Sequence, residues 1–212
     1  MLLENKMNTV KEYLLSEYKE NIWDICYKTF KEYQLVEEND HIAVSIEGDR
    51  NSLLLHACLQ IYQELSGVNF TISFILVPNV KVTLEQLMEL AREWGIKEYH
   101  IVKATTEKEY LDYMRGLGCN KIAVNLNRDS MIKEYMLRLI QYKKFFQVSP
   151  MYQMVTHQNY TAIHPFFFVE EKDMVDFSDS CNMQLFPRAE RVLDNVYRDS
   201  SKSMQLNVYH SV

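Results

Sequence analysis

The stretch HIAVSIEGDRNSLLLHAC, residues 41–58, decides the fold. His41, Ile42, Ala43, Val44, Ser45 and Ile46 form a short apolar run of strand length. A polar loop with one glycine follows at 47–51, and Ser52 stands where a helix N-cap is wanted. Beyond it, Leu53, Leu54, Leu55, His56, Ala57, Cys58 and Leu59 open an apolar helix. The unit is therefore strand, loop, helix, and the question is whether it repeats.

It does. Upstream, Val10, Leu14, Tyr18, Ile22, Cys26, Phe30 and Tyr33 recur in steps of three and four, predicting one long amphipathic helix over 9–35, ended by the acidic turn at 37–40. Downstream, a strand over 70–77 stops at Pro78, and Thr83 caps a helix over 84–94 with Gly95 as its C′ residue. Strands at 98–102 and 121–125 alternate with helices at 107–117 and 130–146, the last capped by Asp129 or Ser130. A loop containing Pro150 leads to a strand over 161–166, and helices at 170–178 and 188–197 close the chain. Alternation of this kind predicts an α/β fold, a Rossmann-like three-layer α/β/α sandwich around a mostly parallel sheet of about five strands. The expected organisation is an N-terminal helix, 1–36, packed on an α/β domain, 37–212, as a single domain without repeats or linkers.

Bulk properties narrow the setting. No apolar window of membrane-spanning length exists and the N-terminus lacks a signal-like segment, so a cytoplasmic address without a membrane partner is expected. The net charge of -6 disfavours tRNA or another nucleic acid as partner, because phosphate neutralisation needs clustered cations. Cys26, Cys58, Cys119 and Cys181 are far apart and form no C-x-x-C pair, which reads as small buried hydrophobes.

In doubly wound sheets, ligands sit beyond the carboxyl ends of strands, where helix N-termini present N–H groups to phosphate. The loop EGDRNS at 47–52 resembles the PP-loop of ATP pyrophosphatases, whose signature is S-G-G-x-D-S between such a strand and helix. Gly48 and Ser52 match; Glu47, Asp49 and Asn51 replace Ser, Gly and Asp, and Arg50 takes the free position. LGCNKIAVNLNRDSMIKE, from Leu117, is similar to the family's L-G-x-x-K-I-A-L-G-H-H-x-D-D-x-x-E-T segment. There Asn125, Leu126 and Asn127 stand for Gly-His-His, Asp129 matches the first paired Asp and Ser130 replaces the second. AIHPFFFVEEKDMVDF, from Ala162, resembles I-R-P-L-x-x-V-E-E-x-D-I-x-x-F. The chain thus resembles a degenerate member of the PP-loop superfamily, nearest the tRNA thiocytidine-synthesis branch.

That resemblance implies a residual ATP site at Gly48, Asp49, Arg50, Asn51, Ser52, Asn127 and Asp129, with no confident catalytic residue and no metal ligand. The new carboxylates argue against it. One placed 5 Å from a phosphate charge costs about 3 kcal/mol at an effective dielectric near ~20, and the Cβ of Asp49 occupies space a glycine leaves open. The family's thiolates for an iron–sulfur cluster have no counterpart at suitable spacing, so no cofactor is expected beyond residual ATP and Mg²⁺, and the cluster is expected to be absent. The expected function is a binding or regulatory module without catalysis, as a homodimer through the N-terminal helix or paired with an active relative. The alternative is an ATP-dependent tRNA sulfurtransferase or ligase with altered residues.

Three further features have mainly structural readings. His56 reads as a packed histidine, and His164 before Pro165 has no partner in sequence. Lys133, Arg138, Lys143 and Lys144, interleaved with Tyr142, Phe145 and Phe146, read as a solvated helix face, or as the remnant of a tRNA-facing surface. Phe166, Phe167 and Phe168 read as strand-end core with one ring exposed.

Overall fold

A computed structural model describes residues 3–79, 81–103, 107–143, 148–154 and 160–181. Its helices are α1 (Leu3–Leu15), α2 (Asp24–Glu32), α3 (Arg50–Leu65), α4 (Leu84–Glu93), α5 (Glu107–Gly116), α6 (Arg128–Tyr142) and α7 (Glu171–Ser180). Its strands are β1 (His41–Ile46), β2 (Thr71–Leu76), β3 (His100–Ile101), β4 (Lys121–Ala123), β5 (Met151–Met154) and β6 (Tyr160–Ile163). They form one six-stranded sheet in the order β3-β2-β1-β4-β6-β5, parallel except for the antiparallel pairing of β5 with β6.

The Rossmann-like α/β expectation holds, with one strand more than expected. β5 lies in the segment read as a loop after Pro150; MYQM has no alternation to announce a strand, and its order comes from pairing with β6. Conversely Phe166 lies past the end of β6, in a turn, where its ring is fully buried while Phe168 is exposed against Tyr33. The helix expected at 188–197 lies outside the described residues, as do Lys144, Phe145 and Phe146 of the expected basic face.

The long helix expected over 9–35 is two helices joined by a π turn, Lys19–Trp23, with Trp23 N–H bonded to Tyr18 O, five residues back. The cause lies in the spacing. Apolar residues at strict four-residue steps drift by about 40° per step around an α-helix. The wider π turn rotates the stripe back, so Leu14, Ile22, Cys26 and Phe30 all enter one core. Met7, Val10 and Leu14 of α1 are buried there too, beside residues of α3 and α4. The apolar face expected to hold a second copy is therefore consumed inside the molecule.

Two caps also differ from expectation. Asp49 rather than Ser52 is the N-cap of α3, and Asn127 rather than Asp129 or Ser130 is the N-cap of α6. Thr83 does cap α4, in a reciprocal capping box with Gln86. At the amino ends of the strands, the buried ammonium of Lys121 reaches Asp40 at 2.7 Å, Leu35 O at 3.1 Å and Glu37 at 3.3 Å. That network fixes the start of β4 against the chain that leads into β1.

Candidate functional site

The chain runs outward from β1 through β2 to β3, then returns to place β4 on the other side of β1. The β1–β4 boundary is thus the switch point, where diverging loops leave a crevice at the carboxyl ends. The 47–49 loop after β1 and the 124–127 loop after β4 both lie there. Gly48 has φ +82°, a conformation that glycine adopts without strain and that turns the chain sharply into α3.

The polar residues of the two loops are bound to one another. Asp49 is only 5% exposed, and its Oδ1 accepts the backbone N–H of Ser52 at 2.7 Å. The hydroxyl of Ser52 donates back to Asp49 O at 3.0 Å. Across the crevice, Asn125 Nδ2 donates to Asp49 Oδ1 at 3.4 Å, and Asn51 Nδ2 donates to Asn125 O at 3.1 Å. The Asp49 carboxylate therefore occupies the N-terminus of α3, the position where the helix dipole and free N–H groups attract an anion. The sequence suggests a carboxylate placed to repel phosphate; the structure shows that carboxylate capping the N-terminus of α3.

The remaining candidates divide. Asn127 is fully buried beside this network and caps α6, its Oδ1 accepting Ser130 N–H at 2.8 Å, while its Nδ2 has no partner among the described residues. Asp129 turns away to α7, accepting Glu171 N–H at 2.7 Å, next to the Arg128–Glu170 ion pair at 2.9 Å. Arg50 is half-buried at the first turn of α3, its Nε without a partner among the described residues. Sequence reasoning missed Asn125 as a member of the network. It also missed the D-x-x-S spacing of Asp49 and Ser52, the available signal for the true cap. Nearby, Tyr110 of α5 bonds Ser45 of β1; burial pushes its phenol up to about 12, Ser45 opposing and the Glu47 carboxylate adding.

His56 is buried with neither ring nitrogen bonded among the described residues, edge-on to Phe74. Burial, helped by Lys11, lowers its pKa to about 3. His164 is buried at the end of β6 and stacks on Tyr152, with ring centroids 5.5 Å apart. His56 is a packing residue of the core, and His164 lies against Tyr152 at the end of β6.

A mostly parallel open sheet with a strand–loop–helix at its switch point defines the class as a Rossmann-like α/β fold. No protein-family model matches the chain. Curated relatives do. A tRNA-cytidine(32) 2-sulfurtransferase of Shigella dysenteriae is 26% identical, over 87% of this chain and 67% of its own length. The protein of that name from Psychrobacter cryohalolentis is 24% identical, over 74% of this chain and 46% of its own. Among solved structures, the U34-tRNA thiolase NcsA of Methanococcus maripaludis with its [4Fe-4S] cluster superposes with a TM-score of 0.61 at 17% identity, covering 94% of this chain and 74% of that one. The chain is thus similar in sequence to tRNA-thiolating proteins of the PP-loop ATP pyrophosphatase superfamily, and it shares the fold of a tRNA thiolase.

These findings correct one expectation. An iron–sulfur cluster was expected to be foreign to this chain, yet the thiolase NcsA carries a [4Fe-4S] cluster on the same fold. Of the chain's thiols, Cys26 and Cys58 touch in the main core, Cys119 belongs to the second core cluster, and Cys181 ends α7. Among the described residues, no three His, Cys, Asp or Glu side chains gather at a common point. No helix among them is long and apolar enough to cross a membrane.

Proposed function

We propose that this chain is a PP-loop protein of the tRNA-thiolation branch that works as a binding or regulatory module, in the cytoplasm, with its nucleotide loop closed by its own side chain. The observation that carries this reading is the Asp49 carboxylate on the Ser52 N–H at 2.7 Å. A phosphate arriving there has to displace a buried carboxylate oxygen, Oδ1, that already holds the Ser52 N–H, and then sit beside its charge, which costs affinity on both counts. The substitution of Asn51 for the family's Asp adds to it, because Asn51 is committed to Asn125 O and brings no negative charge for a metal ion.

The test is a thermal-shift titration with ATP and Mg²⁺ on the native chain and on the Glu47→Ser, Asp49→Gly double variant. The reading expects no shift in the native chain and a ligand-dependent rise in the variant. Magnesium-dependent release of pyrophosphate by the native chain, abolished by Ser52→Ala, would overturn it.

A second reading, an ATP-dependent tRNA-modifying enzyme with altered residues, is favoured by Gly48, which keeps the positive φ and the glycine of the family loop. The names of the sulfurtransferase relatives support it as well. It expects pyrophosphate release to appear when tRNA is added, in a chain that is silent with ATP alone.

A further inference from the structure

Helix α4 ends in a motif that leaves a cavity beside it. Gly95 takes φ +71°, which lets Ile96 N–H bond Ala91 O at 2.8 Å and Gly95 N–H bond Arg92 O at 3.1 Å. The turn carries Trp94 and Ile96 into the core, and with Met7 of α1 these buried side chains line a cavity of about 890 Å³ between α1, α3 and α4. The Lys6–Glu93 ion pair at 2.9 Å ties α1 to α4 beside it. A concavity of this size is in the range that takes a small molecule. Because β2 and β3 are parallel, α4 runs back towards the amino ends of the strands, so the cavity lies away from the crevice at Asp49. None of its lining residues belongs to the Asp49 network.

The lining defines a ligand chemistry. Among its described charged side chains, Glu85 and Glu89 are balanced by Arg92 and Lys97, and Arg92 already holds Glu89 at 3.1 Å. No net field selects an anion or a cation. Met7 and Met88 bring thioethers, which pack well against aromatic faces, and Trp94 brings a flat ring. Met88 is 41% exposed, an apolar side chain with room above it. Asn8 of α1 and Gln60 of α3 add two amides, neither hydrogen-bonded through its side chain to another described residue. Each amide carries both donor and acceptor. Faces that suit a ring, amides that suit its edge and balanced charge describe one class of ligand. We propose that the cavity binds an uncharged, fused-ring nitrogen heterocycle of the purine type, its ring against Met7, Met88 and Trp94 and its edge on Asn8 and Gln60. The site is independent of whether the loop at Asp49 admits a nucleotide.

The chain has two tryptophans, Trp23 and Trp94, so the indole N–H signals in a nitrogen–proton correlation spectrum of the full chain report on the site, with Trp23→Phe assigning them. Hypoxanthine, uncharged at neutral pH, is the probe, titrated into the millimolar range that a ligand of its size calls for. A saturable shift of the Trp94 signal is expected, with Trp23 unmoved, and it persists in the Glu47→Ser, Asp49→Gly double variant. Gln60→Leu and Asn8→Leu are each expected to weaken binding about fivefold through a lost hydrogen bond. Circular dichroism checks folding; if Gln60→Leu is not folded, Asn8→Leu, at an exposed position of α1, decides. A Trp94 signal that stays unmoved overturns the proposal. So does binding that the folded leucine variants retain in full. So does tighter binding of naphthalene-2-sulfonate, a fused ring with a fixed negative charge, than of hypoxanthine.

Discussion

Asp49 holds the backbone N–H of Ser52 at 2.7 Å and so caps α3 with a group that belongs to the chain itself. In a fold whose ligand site is built around that helix end, one residue both stabilises the helix and competes with an anion. Replacing Asp49 with Gly is therefore expected to cost stability while opening the site. Loss of the carboxylate cap lowers the unfolding free energy by up to about 1 kcal/mol in urea titrations, and inorganic pyrophosphate then restores part of it. A variant that loses stability without gaining any response to pyrophosphate would show that Asp49 only caps.

His56 provides a pH signature. Its folded pKa is lowered from 6.5 to about 3 by burial, with Lys11 adding to the effect. The unfolded chain therefore takes up the proton first as pH falls. Stability from this group is complete above about pH 6.5 and is lost progressively towards pH 3, at a limiting slope of about 1.4 kcal/mol per pH unit. Carboxylates contribute their own slope below pH 5, so the measurement is a comparison: urea unfolding of the native chain and of His56→Leu between pH 7 and 5. The leucine variant is expected to be flatter; identical slopes would mean that His56 finds a proton acceptor.

Lys121 and Asp40 form an ion pair at 2.7 Å in which both side chains are 6% exposed. Lys121→Met leaves the Asp40 carboxylate buried without its cation and is expected to destabilise the chain by about 3–5 kcal/mol. Adding Asp40→Asn removes the stranded charge, so the double variant is expected to recover a large part of the loss. Measured additivity of the two changes would contradict the coupling.

Asp129 joins α6 to α7 by accepting Glu171 N–H at 2.7 Å. Asp129→Ala is expected to cost about 0.5–1 kcal/mol, as for an N-terminal helix acceptor, and to speed amide exchange in the first turn of α7. An unchanged exchange pattern would show that the Arg128–Glu170 pair alone secures that junction.

Much of this was legible before any coordinates. The strand–loop–helix at 41–58 and the alternation after it fix an α/β fold, because strand and helix periods are local properties of the residues. The capping box at Thr83 and the left-handed turn at Gly95 were also readable, since each is satisfied within a few residues. The break in the N-terminal helix is foreshadowed by its four-residue spacing, but only the shared core selects a π turn over a bend.

What the tertiary structure alone decided were choices between local alternatives of nearly equal energy. Asp49 and Ser52 are both good caps, and so are Asn127, Asp129 and Ser130. Asn125 reaching across from β4 tips the first toward Asp49, and Glu171 on α7 draws Asp129 out of the second. MYQM becomes a strand because β6 offers it unpaired backbone. The sequence by itself determined most of the elements, through periodicity and burial, with β5 and the π turn left to tertiary contacts. Which side chain occupies the mouth of the site depended on hydrogen bonds between residues more than 70 positions apart, and no local pattern encodes those.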